Sequence, residues 1–242
     1  MSTPRPAKDK IILPLDVPDE AAALRLVGDL AGTLTFFKVG LELFTRCGPG
    51  IIGNIRRAAR EAGCAEVRIF LDLKLHDIPN TVAGAVRAAA ALDVDFLTIH
   101  LAGGAAMLRA AAAAAGPRLL LLGVSVLTSS DAATLAETGV AGGVEDQVLR
   151  LAALGTANSL RGIVASPHEA GSLRARFGSD VTLVVPGVRP GNGAADDQRR
   201  VMTPRQALTA GADYLVIGRP ITAQPDPRAA AEEIVRDLEP ET

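Results

Sequence analysis

Short apolar runs alternate with helix-forming segments along the chain, and no other feature narrows the fold as far. The runs are IILPLD (11–16), TFFKVG (35–40), VRIFLDLK (67–74), FLTIH (96–100), RLLLLGVSV (118–126), GIVAS (162–166), TLVVPG (182–187) and YLVIGR (214–219). Most are continuously apolar, as strands are when both faces of a parallel sheet are covered. Between them lie segments such as DEAAALRLVGDL, PGIIGNIRRAAREAG, PNTVAGAVRAAAAL, GAAMLRAAAAAAG and EDQVLRLAALGTA. Several open on Pro or Asp and close at Gly, the signals that start and stop helices. Eight such units within 242 residues predict a (β/α)8 barrel, a fold of roughly 250 residues. An open doubly wound sheet is the alternative, and eight units argue against it. No composition break marks a linker, so a single barrel domain over 1–242 is expected.

Composition removes several partner classes. Lys and Arg total 25 against 27 Asp and Glu, a formal net charge of -2, which leaves no basic excess to track a nucleic-acid backbone. Aromatic residues are 3% with no Trp, which disfavours a base-stacking surface. The opening MSTPRPAKDK is polar, and the apolar run near RLLLLGVSVL falls short of a membrane span. Cys47 and Cys64 form no framework of disulfides or metal ligands. A cytoplasmic protein with no nucleic-acid or membrane partner is expected. His76, His100 and His168 are scattered without the spacing of a metal site.

Barrel active sites form where strands end, so the polar residues closing each run are the informative ones. They are Asp16 after strand 1, Lys38 in strand 2, Asp72 and Lys74 in strand 3, and Arg219 after strand 8, with Asp77 just beyond strand 3. Period-two alternation puts Asp72 and Lys74 on one face. Charges in an apolar strand are costly to bury unless paired, and chains tolerate them where chemistry needs them. Flanking carboxylates favour the ammonium form of a lysine, so Lys74 reads as a proton donor. A carboxylate pressed against a negatively charged substrate group, with an ammonium beside the reacting carbon, suits loss of CO2 followed by protonation.

A second set of residues suits an anion. VVPGVRPGNGAADDQRRVMTP and YLVIGRP place glycines, Arg189, Gln198 and Arg219 in the loops after strands 7 and 8, where such barrels commonly hold phosphate. Gly218 lets backbone N–H groups approach the anion, and Arg219 adds a planar fork of donors. The long Gly-rich loop could close over a ligand and exclude water. Thr128, in the LTS at the strand 5 exit, could hydrogen-bond a substrate carbonyl or simply form a local turn.

DLKLHDIPNT, with LD at strand 1, FFKVG at strand 2, LTS at strand 5, PGVRP and DDQ around loop 7 and IGRPIT at strand 8, resembles the orotidine 5'-phosphate decarboxylase family. The match runs in order from Ile11 to Thr222. The resemblance implies a cofactor-free homodimeric barrel that converts orotidine 5'-phosphate to UMP and CO2 in pyrimidine biosynthesis. It implies that Lys74 delivers a proton to C6 of the pyrimidine while Asp72 lies against the substrate carboxylate. Lys38 would pair with Asp72 and the ribose, and Asp16 would take a ribose hydroxyl. Asp77, Ile78 and Thr81 would reach across the dimer interface into the partner's site. Thr128 would face the pyrimidine and Gln198 would bridge base and phosphate. Arg189, Gly218 and Arg219 would hold the phosphate, with Pro186 at the start of that loop among the substrate contacts. Pro14, inside strand 1, removes a backbone donor near Asp16.

Two other readings use the same residues. One is a metal-dependent decarboxylase or aldolase acting on a keto-sugar phosphate, which shares the DxKxxD spacing. The other is a catalytically silent barrel that binds a phosphorylated pyrimidine, for which a costly charge array is unnecessary.

Overall fold

The computed structural model describes residues 5–190 and 202–239. Eight parallel strands follow one another in closed order: β1 (Ile11–Pro14), β2 (Phe36–Gly40), β3 (Arg68–Leu75), β4 (Phe96–His100), β5 (Leu120–Val124), β6 (Gly162–Val164), β7 (Thr182–Pro186) and β8 (Tyr214–Val216). Helices separate them, so the fold is the (β/α)8 barrel that the alternation predicts. The helices are α1 (Glu20–Leu30), α2 (Leu41–Cys47), α3 (Gly50–Glu61), α4 (Pro79–Ala91), α5 (Gly104–Ala115), α6 (Ala132–Glu137), α7 (Val144–Ala157), α8 (Ala170–Phe177), α9 (Pro204–Thr209), α10 (Arg219–Thr222) and α11 (Pro227–Leu238). Among the described residues no helix is long and apolar enough to cross a membrane.

Two compact units can be distinguished. One is drawn from the described parts of Met1–Asp72, Gly187–Thr209 and Tyr214–Thr242, the other from Leu73–Pro186 and Ala210–Asp213.

In the first unit β1 pairs with β2 at Pro14↔Lys38, β2 with β3 from Phe36↔Arg68 to Gly40↔Asp72, and β1 with β8 at Ile11↔Leu215. Ile11, Ile12, Leu13, Phe36, Phe37 and Phe70 form its interior. The Asp19 carboxylate starts α1 by accepting the Ala22 N–H at 2.8 Å, which satisfies an otherwise orphaned donor. Outside the strands, α1 buries Ala23, Val27 and Leu30, and α3 buries Ile51, Ile52, Ile55 and Ala59, the three-to-four-residue spacing of a helix with one apolar face. Arg68 fastens the start of β3. Its guanidinium donates to the Asp9 carbonyl at 2.7 Å and the Tyr214 hydroxyl at 3.1 Å, and lies 4.2 Å over the Phe36 ring.

In the second unit β4 pairs with β5 from Phe96↔Leu120, β5 with β6 from Leu122↔Gly162, and β6 with β7 from Gly162↔Thr182. Small residues here make room for a large one. A Cβ at Gly123 of β5 or Gly155 of α7 would meet Leu101 Cδ2 at 2.5 or 2.6 Å, so Leu101 fills the space that both glycines leave. Arg174 of α8 donates to the Gly211 carbonyl and, at 2.6 Å, to the Asp213 carboxylate. That carboxylate also accepts the Leu183 N–H at 2.8 Å, which ties α8 to the start of β7.

Several strands are shorter than their apolar runs. β1 stops at Pro14, which offers no N–H to the ladder. β5 occupies the middle of the run 118–126. β8 ends at Val216 because Gly218 already caps α10, whose first turn carries Pro220.

Candidate active site

The first unit places a buried lysine between two carboxylates. Lys38, the third residue of β2, is 9% exposed, and its Nζ lies 3.2 Å from Asp16 Oδ1 and 3.5 Å from Asp72 Oδ2. Asp72 is nearly as enclosed, with 12% of its side chain exposed, whereas Asp16 is 67% exposed. The local folding reason is legible. β1 ends at Pro14, which leaves Asp16 in the loop, and the β2–β3 register sets Asp72 opposite Gly40. Burying an unpaired amine there would be costly, and the two carboxylates offset that cost inside the strand layer. Asp16 stays open to solvent and keeps hydrogen-bonding capacity for a ligand.

The same unit holds part of the expected anion site. Gly218 lies against Pro14, where a Cβ would approach its Cγ to 2.9 Å. It caps α10, and its carbonyl accepts the Ile221 and Thr222 N–H groups at 2.8 and 3.0 Å. Arg219 is the first residue of this short helix rather than the last of a strand, and it is exposed. The Arg189 N–H donates to the Met202 carbonyl at 3.2 Å, so the described residues on either side of loop 7 meet. Gln198 falls outside the described residues.

The second unit carries the rest of the set. Lys74, near the end of β3, has φ 50°, a left-handed conformation that costs a lysine roughly 1–2 kcal/mol. Alternation along an extended strand was the ground for placing Asp72 and Lys74 on one face. That ground fails at residue 74, where the backbone leaves the extended region. The Lys74 N–H donates to Thr98 Oγ1 of β4 at 2.8 Å. Asp77 follows the strand, exposed, and its Oδ1 accepts the Ile78 N–H at 2.6 Å. Ile78 stands before α4 with 67% of its surface exposed, and Thr81 is exposed in the first turn of that helix. Thr128 sits at the centre of a turn closed by the Ser130 N–H on the Leu127 carbonyl at 2.9 Å. Pro186 is the last residue of β7 and half-buried.

Within the first unit the structure thus brings together Asp16, Lys38 and Asp72. In the second, Asp77, Ile78 and Thr81 share one short segment at the start of α4. The histidines are less scattered than their spacing suggests, since the His76 and His100 rings lie 5.5 Å apart. Two residues with a bearing on the site escaped the sequence reading. A Cβ on Gly40 would come within 3.2 Å of Lys38 Nζ, and Thr98 is a wholly buried hydroxyl. The only signal for Thr98 was a polar residue inside FLTIH, a run otherwise apolar until its last position.

The fold is a (β/α)8 barrel, a class in which active sites form at the C-terminal ends of the strands. The chain belongs to the orotidine 5'-phosphate decarboxylase / HUMPS family, whose model matches residues 9–234. It is 51% identical over 242 residues to an orotidine 5'-phosphate decarboxylase of Moorella thermoacetica, covering 96% of this chain and 93% of that protein. Identity to an orotidine 5'-phosphate decarboxylase of Opitutus terrae is 50% over 231 residues, covering 94% and 97%. The crystal structure of orotidine 5'-phosphate decarboxylase from Lactobacillus acidophilus is similar with a TM-score of 0.82 and 34% identity, covering 96% of this chain and all of that one.

Proposed function

We propose that the chain is an enzyme of pyrimidine biosynthesis that decarboxylates orotidine 5'-phosphate to UMP and CO2 without a cofactor, as one cytoplasmic barrel domain acting in a homodimer. The single observation that carries this reading is Lys38 buried between Asp16 and Asp72, in a chain about half identical along its length to the named decarboxylases.

In the proposed reaction the bond between C6 and the carboxylate breaks, CO2 leaves, and the electron pair stays on C6. Lys74 stabilises that charge as an ammonium and delivers the proton that makes UMP, then regains a proton from water. Asp72 lies against the substrate carboxylate, where negative charge that departs in the transition state favours the reaction over binding. Lys38 pairs with Asp72 and, with Asp16, meets the ribose. Thr128, Pro186 and Gln198 line the base and loop side, while Arg189, Gly218 and Arg219 take the phosphate. Asp77, Ile78 and Thr81 complete the partner's site. Ile78, a large apolar side chain beside Asp77, is exposed and would be covered by a second copy docked on this segment.

The test is the ultraviolet absorbance of orotidine 5'-phosphate after adding purified protein in EDTA, with Lys74→Ala alongside. Turnover by the wild type alone is expected. Turnover that required Mg2+ and a keto-sugar phosphate would replace this reading with the metal-dependent one.

A further inference from the structure

Lysine seldom adopts a left-handed backbone, because Cβ then crowds the neighbouring carbonyl. Lys74 does so at φ 50°, and such a conformation persists only where the surroundings over-determine it. The neighbouring strand supplies a specific restraint. Thr98 is the central residue of β4, 0% exposed, with the equally buried Leu97 and Ile99 on either side. A hydroxyl at such a place is unfavourable unless it is hydrogen-bonded. Its Oγ1 accepts the Lys74 N–H at 2.8 Å, so a buried polar atom and a strained backbone satisfy one another.

We propose that Thr98 is a positioning residue for the reaction: its hydroxyl holds the backbone of residue 74 in the left-handed conformation and thereby aims the lysine amine. The proposal rests on the decarboxylase reading above and adds a residue to it. Thr98 acts on Lys74 through the backbone amide, so its loss disturbs proton delivery rather than substrate capture. Chemistry slows while affinity is kept, since small misplacements of a reacting group can cost about 100-fold in rate. A hydroxyl that merely satisfied a buried amide would leave kcat alone and lower stability.

The experiment compares Thr98→Val, which removes the acceptor, with Thr98→Ser, which keeps it. Folding is checked by circular dichroism and melting, rates are measured on orotidine 5'-phosphate, and exchange of the Lys74 amide is followed by NMR. For Thr98→Val the expected result is kcat lowered about 10- to 100-fold with KM within about threefold and faster Lys74 exchange. Thr98→Ser should stay within about threefold of wild type on both constants. A folded Thr98→Val with kcat within about twofold of wild type would overturn the proposal, as would equal losses in the two variants. If Thr98→Val does not fold, Thr98→Ala makes the same comparison. If the wild type itself fails to turn over, the decarboxylase reading falls. The amide then decides only whether Thr98 restrains residue 74: unchanged exchange on loss of the hydroxyl removes that restraint too, and accelerated exchange keeps the restraint while the role in the reaction falls.

Discussion

Gly40 lies opposite Asp72 across the β2–β3 ladder, and the missing side chain at Gly40 is what leaves room for the Lys38 ammonium. A Cβ at that position would stand 3.2 Å from Lys38 Nζ and 3.4 Å from Asp16 Oδ1. Gly40 has φ -91°, which alanine adopts freely, so the constraint is space and not backbone. Gly40→Ala should therefore fold normally and shift the ammonium by a few tenths of an ångström against its two carboxylates. We expect kcat/KM for orotidine 5'-phosphate to fall about tenfold, equivalent to roughly 1.4 kcal/mol. Absorbance assays and thermal melts on one preparation test this, and unaltered kinetics would show that the ion pair has slack.

Lys74→Ala and Asp77→Ala should each be folded and inactive. Mixed and re-equilibrated, they should recover activity if Asp77 serves the partner's site, because a hybrid dimer then contains one intact site of two. Random pairing makes half the dimers hybrids, so about a quarter of wild-type activity is the ceiling for an isologous pair. Size-exclusion chromatography with light scattering establishes the dimer, and a mixture that stays silent would place Asp77 in its own subunit's site.

Arg219 opens α10 in an exposed position, free to meet a phosphate with two parallel hydrogen bonds. Arg219→Ala is expected to raise KM for orotidine 5'-phosphate by about 10- to 100-fold, the scale of a lost charge-assisted pair. Orotidine lacking the phosphate should be turned over equally poorly by both proteins.

Gly155→Ala sets two effects against each other. Helix propensity favours alanine within α7 by about 1 kcal/mol. The new methyl would meet Leu101 at 2.6 Å, and Leu101 is fully buried with Gly123 on another side, so overpacking costs about 1–3 kcal/mol. Packing should win by about 1 kcal/mol, lowering the urea midpoint with an unchanged m-value.

Asp131 accepts the Thr134 N–H at 2.9 Å and the Thr134 hydroxyl at 3.0 Å, which caps α6. The backbone hydrogen bond foremost, then the hydroxyl, holds its pKa below the ordinary value of 3.8. A depressed carboxylate contributes stability above its unfolded pKa and loses it as pH falls through the folded one. The Thr134 amide resonance should thus titrate with a midpoint below 3.8, and Asp131→Asn should abolish the transition.

How far the sequence reaches is clearest at individual residues. FLTIH was bounded correctly because Asp95 precedes it and polar His100 closes it. YLVIGR ran too far, since Ile217 continues the apolar run although Pro220 already marks a helix start. The charged types at strand ends were legible, whereas Lys38 as a partner of Asp72 followed only from the family resemblance. That Lys38 also binds Asp16 depends on where β1 stops, which is a matter of packing. The backbone of Lys74 left no trace, because left-handed conformations advertise themselves through Gly, Asn or Asp and not through lysine. Thr98 read as an ordinary strand former, and its bond partner lies 24 residues away.

The left-handed turn of the chain at Lys74 means that the Asp-x-Lys triplet is not a portable cassette. Grafted onto a regular strand of another barrel, the same three residues would take an ordinary pleat and aim the amine elsewhere. An engineer would have to transplant the neighbouring strand's hydroxyl with them.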